Sequence, residues 1–483
     1  MSTPLQQRRA GVLLHPTSLP GIAGQGSLGP AARRFVDLLE TCGFSVWQTL
    51  PLGPTHSDWS PYQCLSVHAG NTRLVSREDL VSRGWLDASA LASGDSLQQA
   101  RAGFDREADP AEKQAFADFR EQHAGWLDNY ALYQAIRLVH DHKPWPDWPA
   151  PLRNRHTPAL ARFRKSCTDS IEQICFEEFL FFTQWHALRD YAHQHGVLLF
   201  GDIPIFVAHD SADVWSNREL FSTDDQGNPD VVAGVPPDYF SETGQRWGNP
   251  LYRWDRLAAD DFNWWLERVR SQLELFDIIR LDHFRGFQQY WEIPAQEETA
   301  INGHWVDAPG AALFERLAAE FGELPLVAED LGTITPEVEA MRLRFGLPGM
   351  KILQFAFDGG PDNQYLPHNH EPHSVVYTGT HDNDTTLGWY EARDRDGKQD
   401  VLDYLGNPPD PMPWPVIRAA FASVARLAIV PFQDILALGS EHRMNTPGTT
   451  KGNWQWQFDW QEVPGDLPAH VHGMLYRYAR IPV

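Results

Sequence analysis

The chain has 483 residues, of which 42% are hydrophobic and 22% are charged, proportions that match an ordinary globular protein and exclude disorder over most of its length. No stretch approaches the roughly 20 consecutive apolar residues that a membrane-spanning helix needs. The apolar residues 11–14 are too few for the core of a signal peptide. We therefore expect a soluble, cytoplasmic protein with no membrane partner.

The charge balance excludes another class of partner. With 64 acidic and 40 basic residues the formal net charge is −24, which repels nucleic-acid phosphates and anionic lipid, and no Lys/Arg-rich run suggests a local exception. The four cysteines (Cys42, Cys64, Cys167 and Cys175) lack metal-site spacing and are expected to be reduced thiols. The 19 tryptophans, many beside polar residues, hint at platforms for sugar rings.

Short runs rich in strand-forming residues recur along the chain, and most of them end in polar residues. Helical patterns lie between most of these runs, for example at 30–41 and 176–195, each followed by a glycine. The eight predicted strand runs are 11–19, 44–52, 197–207, 276–284, 324–332, 351–357, 374–382 and 433–439.

Strands that alternate with helices indicate a parallel sheet of the α/β class. A doubly wound open sheet is one possibility, but eight units favour a (β/α)8 TIM barrel, whose active site lies at the carboxyl ends of the strands. We expect the barrel to comprise 1–55 and 196–483. A mostly helical subdomain is expected at 56–195, and a Gly- and Pro-rich loop insertion at 208–260 covers the active-site groove.

Two motifs point to other chemistry, and their context argues against both. Gly24, Gly26 and Gly29 match the spacing of a dinucleotide fingerprint, but two prolines separate them from the strand and no acid follows the next strand. The histidines of the YLPHNHEPH segment (368–373) lie in a Pro-flanked loop, where solvated histidines are commoner than a metal site. We expect no metal and no cofactor.

The segment FDIIRLDHF (276–284) ends in chemistry-bearing residues. Period-two alternation puts Arg280 and Asp282 on one face of the strand, and a guanidinium beside a carboxylate keeps that carboxylate ionised, as a nucleophile needs. A purely structural Arg–Asp pair would produce the same pattern.

Two further predicted strands end in acids. One ends at Glu329 and Asp330, only one of which can face the barrel mouth as a general acid, and the other ends at His381, Asp382 and Asp384. Carboxylates that flank one bond at one barrel face are what glycoside chemistry requires.

Several longer motifs resemble a known family, the 4-α-glucanotransferases called amylomaltase or disproportionating enzyme (glycoside hydrolase family 77), which are relatives of the α-amylases. The resemblance covers nearly the whole chain in the family's order. The motifs are GVLLHPTSLPG (11–21), SPYQCLSVHAGN (60–71), GDIPIFVAHDSADVW (201–215), PPDYFSETGQRWGNPLY (236–252), IRLDHFRGF (279–287), AEDLGTITPEV (328–338), YTGTHDNDT (377–385) and RMNTPGTTKGNWQW (443–456).

The resemblance implies roles for particular residues. It makes Asp282 the nucleophile with Arg280 as its supporting cation, Glu329 rather than Asp330 the acid/base, and Asp382 the third carboxylate, which stabilises the transition state. It places Tyr62, Asp202 and His381 around the sugar at the cleavage point. It places Tyr239 and Phe240 in a mobile loop over the acceptor side, and Trp247 and Asn453 further along the groove. The implied activity is transfer of an α-1,4-glucan segment to another glucan; a retaining α-glucan hydrolase is the alternative.

Overall fold

The computed structural model describes residues 4–237 and 241–482 and contains a closed ring of parallel strands. The strands of the described residues are β1 (Arg9–Leu13), β2 (Val46–Gln48), β3 (Leu198–Ile203), β4 (Val231–Val235), β5 (Gln245–Pro250), β6 (Ile278–Leu281), β7 (Gln289–Pro294), β8 (His304–Asp307), β9 (Leu326–Ala328), β10 (Gly349–Ile352), β11 (Ser374–Tyr377) and β12 (Leu427–Pro431). Eight of them form one parallel sheet in the order β10-β11-β12-β1-β2-β3-β6-β9. Its two ends meet, since the Ala328 amide donates to the Pro348 carbonyl at 2.9 Å.

Helices surround this sheet, which makes the architecture the predicted α/β barrel. The first helix has Pro30 at its start and ends at Gly43, whose left-handed φ of 84° closes the last turn, as the sequence predicts. The α-helices of the described residues are Pro30–Cys42, Arg77–Ser82, Ser96–Glu107, Pro110–Gln122, Ala124–Val139, Ala150–Arg153, Thr157–Ser166, Thr168–Gln194, Ala212–Ser216, Trp254–Ala259, Asn263–Leu275, Gly310–Phe321, Pro336–Arg344, Thr386–Ala392, Arg395–Tyr404, Trp414–Ala422, Phe432–Ile435 and Leu467–Arg477.

The barrel strands are buried on both faces. One set of side chains fills the barrel interior, among them Val46, Phe200, Ile278 and Ile429. The alternate set packs outward against the helices as part of a larger apolar core. This explains why the strand sequences are continuously apolar rather than alternating.

The eighth strand is the barrel strand that the sequence prediction missed completely. The prediction at 433–439 was wrong: the strand is Leu427–Pro431, and Phe432–Ile435 is a helical turn. The true strand is entirely buried. Asp434, in the helical turn, accepts hydrogen bonds from the Thr378 and Thr386 hydroxyls, so this polar residue joins β12 to the loop after β11.

Two long connections carry additional structure at the predicted insertions. Between β2 and β3 the chain forms seven of the α-helices, from Arg77–Ser82 to Thr168–Gln194. The 208–260 connection contains β4 and β5, which join β7 and β8 in an antiparallel sheet of order β5-β4-β7-β8. The second connection is therefore partly strand rather than loop throughout.

A buried arginine joins the segment after the last helix to the start of β1, at the amino-terminal end of the barrel strands. Arg480 is fully buried, and its guanidinium donates to the carbonyls of Arg9 at 2.8 Å and Phe421 at 2.7 Å, among others. Burial lowers the pKa of Arg480 to about 9. The carbonyls at the end of the Trp414–Ala422 helix carry the negative end of its dipole, which favours a cation there. Arg480 therefore fixes the last helix and β1 to each other.

Arg480→Met should destabilise the fold because several buried carbonyls lose their donor. We expect the free energy of unfolding to fall by about 3 kcal/mol. Urea denaturation measures this, with Arg477→Met, an exposed position on the preceding helix, as the control. Equal stability of the two variants would contradict this role of Arg480.

Candidate active site

A buried arginine organises two carboxylates at the carboxyl ends of β3 and β6. Asp202 and Arg280 are register partners on these neighbouring strands. Arg280 donates from Nη1 to Asp202 Oδ2 at 2.6 Å, and its Nη2 lies 2.9 Å from Asp282 Oδ1. The side chain of Arg280 is 6% exposed, whereas that of Asp282 is 28% exposed. The predicted pairing of Arg280 with Asp282 is confirmed, and Asp282 is the member that faces the barrel mouth.

Glu329 lies beside Asp282 because β6 and β9 pair directly. Leu281 and Ala328 are partners in the sheet, so the two acids follow adjacent strand ends. Glu329 Oε2 accepts the His283 amide at 2.5 Å. Burial raises the pKa of Glu329 to about 8, with Arg280 lowering it and Asp282 raising it. The raised pKa favours the protonated form of Glu329, which can donate a proton.

The neighbouring acid, Asp330, points away from the barrel mouth. It is 7% exposed, accepts the Met350 amide at 2.7 Å and lies 3.4 Å from the Arg342 guanidinium. A Cβ at Gly349 would lie 2.1 Å from Asp330 Oδ2, so only glycine admits this close approach. Asp330 therefore stabilises the junction of β9 and β10, which leaves Glu329 as the acid at the mouth.

Asp382 follows β11 and is held by groups that favour its ionised form. Asn445 donates to Asp382 Oδ1 at 2.6 Å, His381 Nε2 lies 3.4 Å from Oδ2, and Arg443 donates to the Asp382 carbonyl at 2.9 Å. The side chain of Asp382 is 48% exposed, and His381 and Asn445 outweigh the opposing effect of desolvation and hold the pKa of Asp382 below its usual range. Asp382 is a carboxylate at neutral pH.

Asn445 and Arg443 did not emerge from sequence reasoning as site residues. Both lie far along the chain from Asp382, and a short polar loop offers no periodic signal. Their segment, RMNTPG, belongs to one of the motifs that carry the family resemblance, and that was the available signal.

Aromatic rings form one wall beside these acids. The Tyr62 hydroxyl donates to Asp202 Oδ2 at 2.8 Å, and its ring stacks on His381 with centroids 5.1 Å apart. The Trp454 ring lies 5.9 Å from Tyr62 and 5.8 Å from His381. Tyr62 and His381 come from two different loops. Their stacked rings therefore lie beside the two acids, with Tyr62 bonded to Asp202 and His381 next to Asp382.

The other predicted binding residues are placed differently. The ring of Trp247 on β5 packs edge-on against the ring of His283, with the ring centres 4.9 Å apart. The backbone amide of the same histidine donates the hydrogen bond that Glu329 accepts. Asn453 accepts the Thr446 amide and donates to the Thr449 carbonyl, so its side chain is bonded within its own loop. Tyr239 and Phe240 lie outside the described residues.

The alternative motifs do not form the sites that their spacing suggests. Residues Ile22–Gly24 form a short turn before the Pro30 helix, and the sheet is closed rather than open. His368 contacts Tyr404, His370 contacts Ser423, and His373 contacts the Gly346 carbonyl. Among the described residues no group of three His, Cys, Asp or Glu side chains could hold a metal ion. In the same part of the chain, every helix is too short or too polar to cross a membrane.

Comparison with known proteins matches this arrangement to one family. Residues 14–462 match the model of glycoside hydrolase family 77, described as 4-alpha-glucanotransferase. The chain belongs to this family. A 4-alpha-glucanotransferase of Thermus thermophilus is 50% identical over 96% of this chain and 96% of its own length. One from Synechocystis is 45% identical over 99% of both chains.

A solved structure gives the same result for the fold of this family 77 chain. Amylomaltase from Streptococcus agalactiae, in a complex with acarbose, superposes with a TM-score of 0.94 at 35% identity. The match covers 98% of this chain and 100% of that one.

The raised pKa of Glu329 predicts how stability depends on pH. The folded-state pKa of about 8 lies above the ordinary value of 4.5, so the Glu329 contribution is fully present below pH 4.5 and is lost as the pH rises towards 8. Relative to Glu329→Gln, the parent should lose about 4 kcal/mol of stability over this range. Urea unfolding at several pH values measures the difference, with the exposed Glu323→Gln as control. A difference that stays constant with pH would contradict the shift.

Proposed function

We propose that the protein is a 4-α-glucanotransferase that moves a segment of an α-1,4-glucan to the 4-hydroxyl of another glucan or of glucose. The observation that carries the proposal is the position of Asp282 and Glu329 at adjacent strand ends, where Asp282 pairs with Arg280 and Glu329 has a raised pKa. Family membership favours transfer over the alternative, a retaining α-glucan hydrolase.

In the first step Asp282 attacks the anomeric carbon and forms a glucosyl ester. The bond from that carbon to the leaving oxygen breaks, and Glu329 gives its proton to this oxygen, so the shortened glucan leaves as an alcohol. Arg280 keeps one oxygen of Asp282 in a fixed direction through the 2.9 Å contact. The chemistry needs no cofactor because carboxyl groups serve as nucleophile and acid.

In the second step Glu329, now ionised, takes the proton from the 4-hydroxyl of an acceptor glucan. The acceptor oxygen attacks the anomeric carbon, the ester bond breaks, and Asp282 is released as a carboxylate. Two inversions at one carbon give net retention. Asp382, kept ionised by His381 and Asn445, offers negative charge to the oxocarbenium-like transition states of both steps.

The remaining assignments complete the proposal. Tyr62, Asp202 and His381 bind the sugar at the cleavage point, and Trp247 and Asn453 contribute to the groove further out. Tyr239 and Phe240 cover the acceptor side. The barrel is formed by 1–55 and 196–483, with a helical subdomain at 56–195 and a groove-covering insertion at 208–260.

The substrates in this proposal are maltooligosaccharides and dextrins derived from starch or glycogen. We place the protein in the cytoplasm, since its four cysteines are free thiols, which suits a reducing compartment.

Maltotriose distinguishes transfer from hydrolysis and tests the nucleophile. A transferase releases glucose and forms longer chains without a net gain of reducing ends, whereas a hydrolase increases the reducing ends. Asp282→Asn should fold normally and lose turnover by about four orders of magnitude or more, because the covalent route disappears. Product chromatography measures both. The exposed Asp362→Asn is the control, and near-normal turnover of Asp282→Asn would refute the assignment.

The 208–260 insertion should favour glucan over water as acceptor. Apolar rings at Tyr239 and Phe240 would hold a sugar with its 4-hydroxyl over the ester and exclude water. In the Tyr239→Ala/Phe240→Ala variant we expect the ratio of hydrolysis to transfer to rise about tenfold. Simultaneous assays of reducing ends and chain lengths measure the ratio. A proportional fall in both rates would mean that these rings only support the barrel rim.

A further inference from the structure

Asp434 is a buried acid that the proposed mechanism does not use. It lies in the helical turn Phe432–Ile435, directly after β12, and is 1% exposed. Its carboxyl group accepts hydrogen bonds from the hydroxyls of Thr378 and Thr386, both at 2.6 Å, and from the Thr386 amide at 2.7 Å. Burial raises the pKa of Asp434, and these donors lower it only in part. Because burying a carboxyl group costs free energy, its hydrogen bonds are what keep it in this place.

The two threonines mark the ends of the loop that carries Asp382. Thr378 directly follows β11, and Thr386 begins the Thr386–Ala392 helix; both are fully buried. We name the seven residues between them, 379–385, the Asp382 loop. The start and the end of this loop are therefore bonded to the same carboxyl group.

Between its ends the Asp382 loop is loosely packed. A cavity of about 30 Å³ lies between the loop residues Thr380 and His381 and the side of the barrel that carries Gln433. Within the loop, the Asp382 amide donates only a long hydrogen bond, of 3.3 Å, to the Thr380 hydroxyl. Since protein interiors are normally close-packed, a loop beside a cavity depends on hydrogen bonds rather than on packing for its position.

Other side chains reach the Asp382 loop from outside. Gln354 donates to the Asp384 carbonyl at 2.8 Å, and Asn445 donates to Asp382 itself at 2.6 Å. These two contacts act on the middle and the far part of the loop. Asp434 acts at its base, where short hydrogen bonds join both ends.

We propose that Asp434 is a positioning residue for Asp382, because it holds both ends of the Asp382 loop in place. The inference rests on the proposed function, in which Asp382 stabilises the oxocarbenium-like transition states. Asp434 touches no reacting atom in this scheme and acts through Thr378 and Thr386. Stabilisation of this kind needs a charge that is fixed in advance, so a displacement of about 1 Å raises the barrier more than it weakens substrate binding.

Two substitutions separate the hydrogen bonds of Asp434 from its charge. In Asp434→Asn the amide oxygen can accept the Thr386 amide, and the NH2 group can donate to both threonine hydroxyls, which accept as well as donate. In the maltotriose assay we expect kcat within about fivefold of the parent for Asp434→Asn and a loss of about 100-fold for Asp434→Ala, with KM changed by less than about threefold in both. Equal losses in the two variants, or a parental kcat in Asp434→Ala, would overturn the proposal.

A double-mutant cycle tests the route through Thr378. Thr378→Val removes one hydroxyl at nearly constant volume and should lower kcat by about tenfold. Because both side chains act on the same end of the loop, adding Thr378→Val to Asp434→Ala should cause little further loss, whereas independent effects would multiply. Losses that multiply would show that Asp434 does not act through this end of the loop, which contradicts the proposal.

Arg480→Met controls for lost stability, because Arg480 lies at the opposite end of the barrel strands and bonds to the Arg9 carbonyl beside β1. At a temperature where circular dichroism shows every variant folded, this variant should keep the parental kcat. A loss of kcat in Arg480→Met as large as that in Asp434→Ala would mean that stability alone explains the effect, and the proposal would fail.

A crystal structure of Asp434→Ala gives a readout that does not depend on activity. The Asp382 carboxylate should lie about 1 Å or more from its parental position relative to Asp282. An unmoved Asp382 would refute the role of Asp434. If the parent hydrolyses maltotriose instead of transferring glucan, the proposed function fails, while the displacement of Asp382 still decides whether Asp434 positions it.

Discussion

The active site depends on one buried cation, Arg280. Its guanidinium bridges Asp202 and Asp282 across two neighbouring strands. A charge this deeply buried persists only with well-placed partners, and in turn Arg280 lowers the pKa of Asp202, which burial raises. The hydroxyl of Tyr62 also reaches Asp202, so the aromatic wall is fixed to the same ion pair. The position of the nucleophile is therefore set by the strand register.

The same barrel end holds two other acids in opposite protonation states. Glu329 has an amide as its hydrogen-bond donor and a pKa near 8, whereas Asp382 has Asn445 and His381 and a pKa below its usual range. Groups of similar intrinsic acidity acquire different functions from their surroundings. The protonation state of each acid, and hence its function, is therefore set by the groups that the neighbouring loops place around it.

Much of this arrangement could be predicted from the sequence, and the failures have physical causes. Continuous apolar runs identify seven barrel strands because burial on both faces leaves that pattern. The eighth was misplaced because an apolar run at 435–438 lies close behind the true strand, separated from it only by the helical turn Phe432–Ile435. Asn445 was missed because a contact between distant loops leaves no local pattern. The groove role of Asn453 stays a prediction, and the amide of its side chain is bonded within its own loop.

The inserted helices hold the chain segment that follows Tyr62. The Gly70 amide donates to the buried Glu178 at 2.8 Å, and the Ser76 amide donates to Gln184 at 2.7 Å, both on the Thr168–Gln194 helix. A Cβ at Gly70 would lie 1.9 Å from Phe181, between these two contacts on the same helix face. Loop backbone is thus bonded to a rigid helix at two successive turns. Catalytic precision in this barrel therefore relies on packing outside the barrel as well as on the strands themselves.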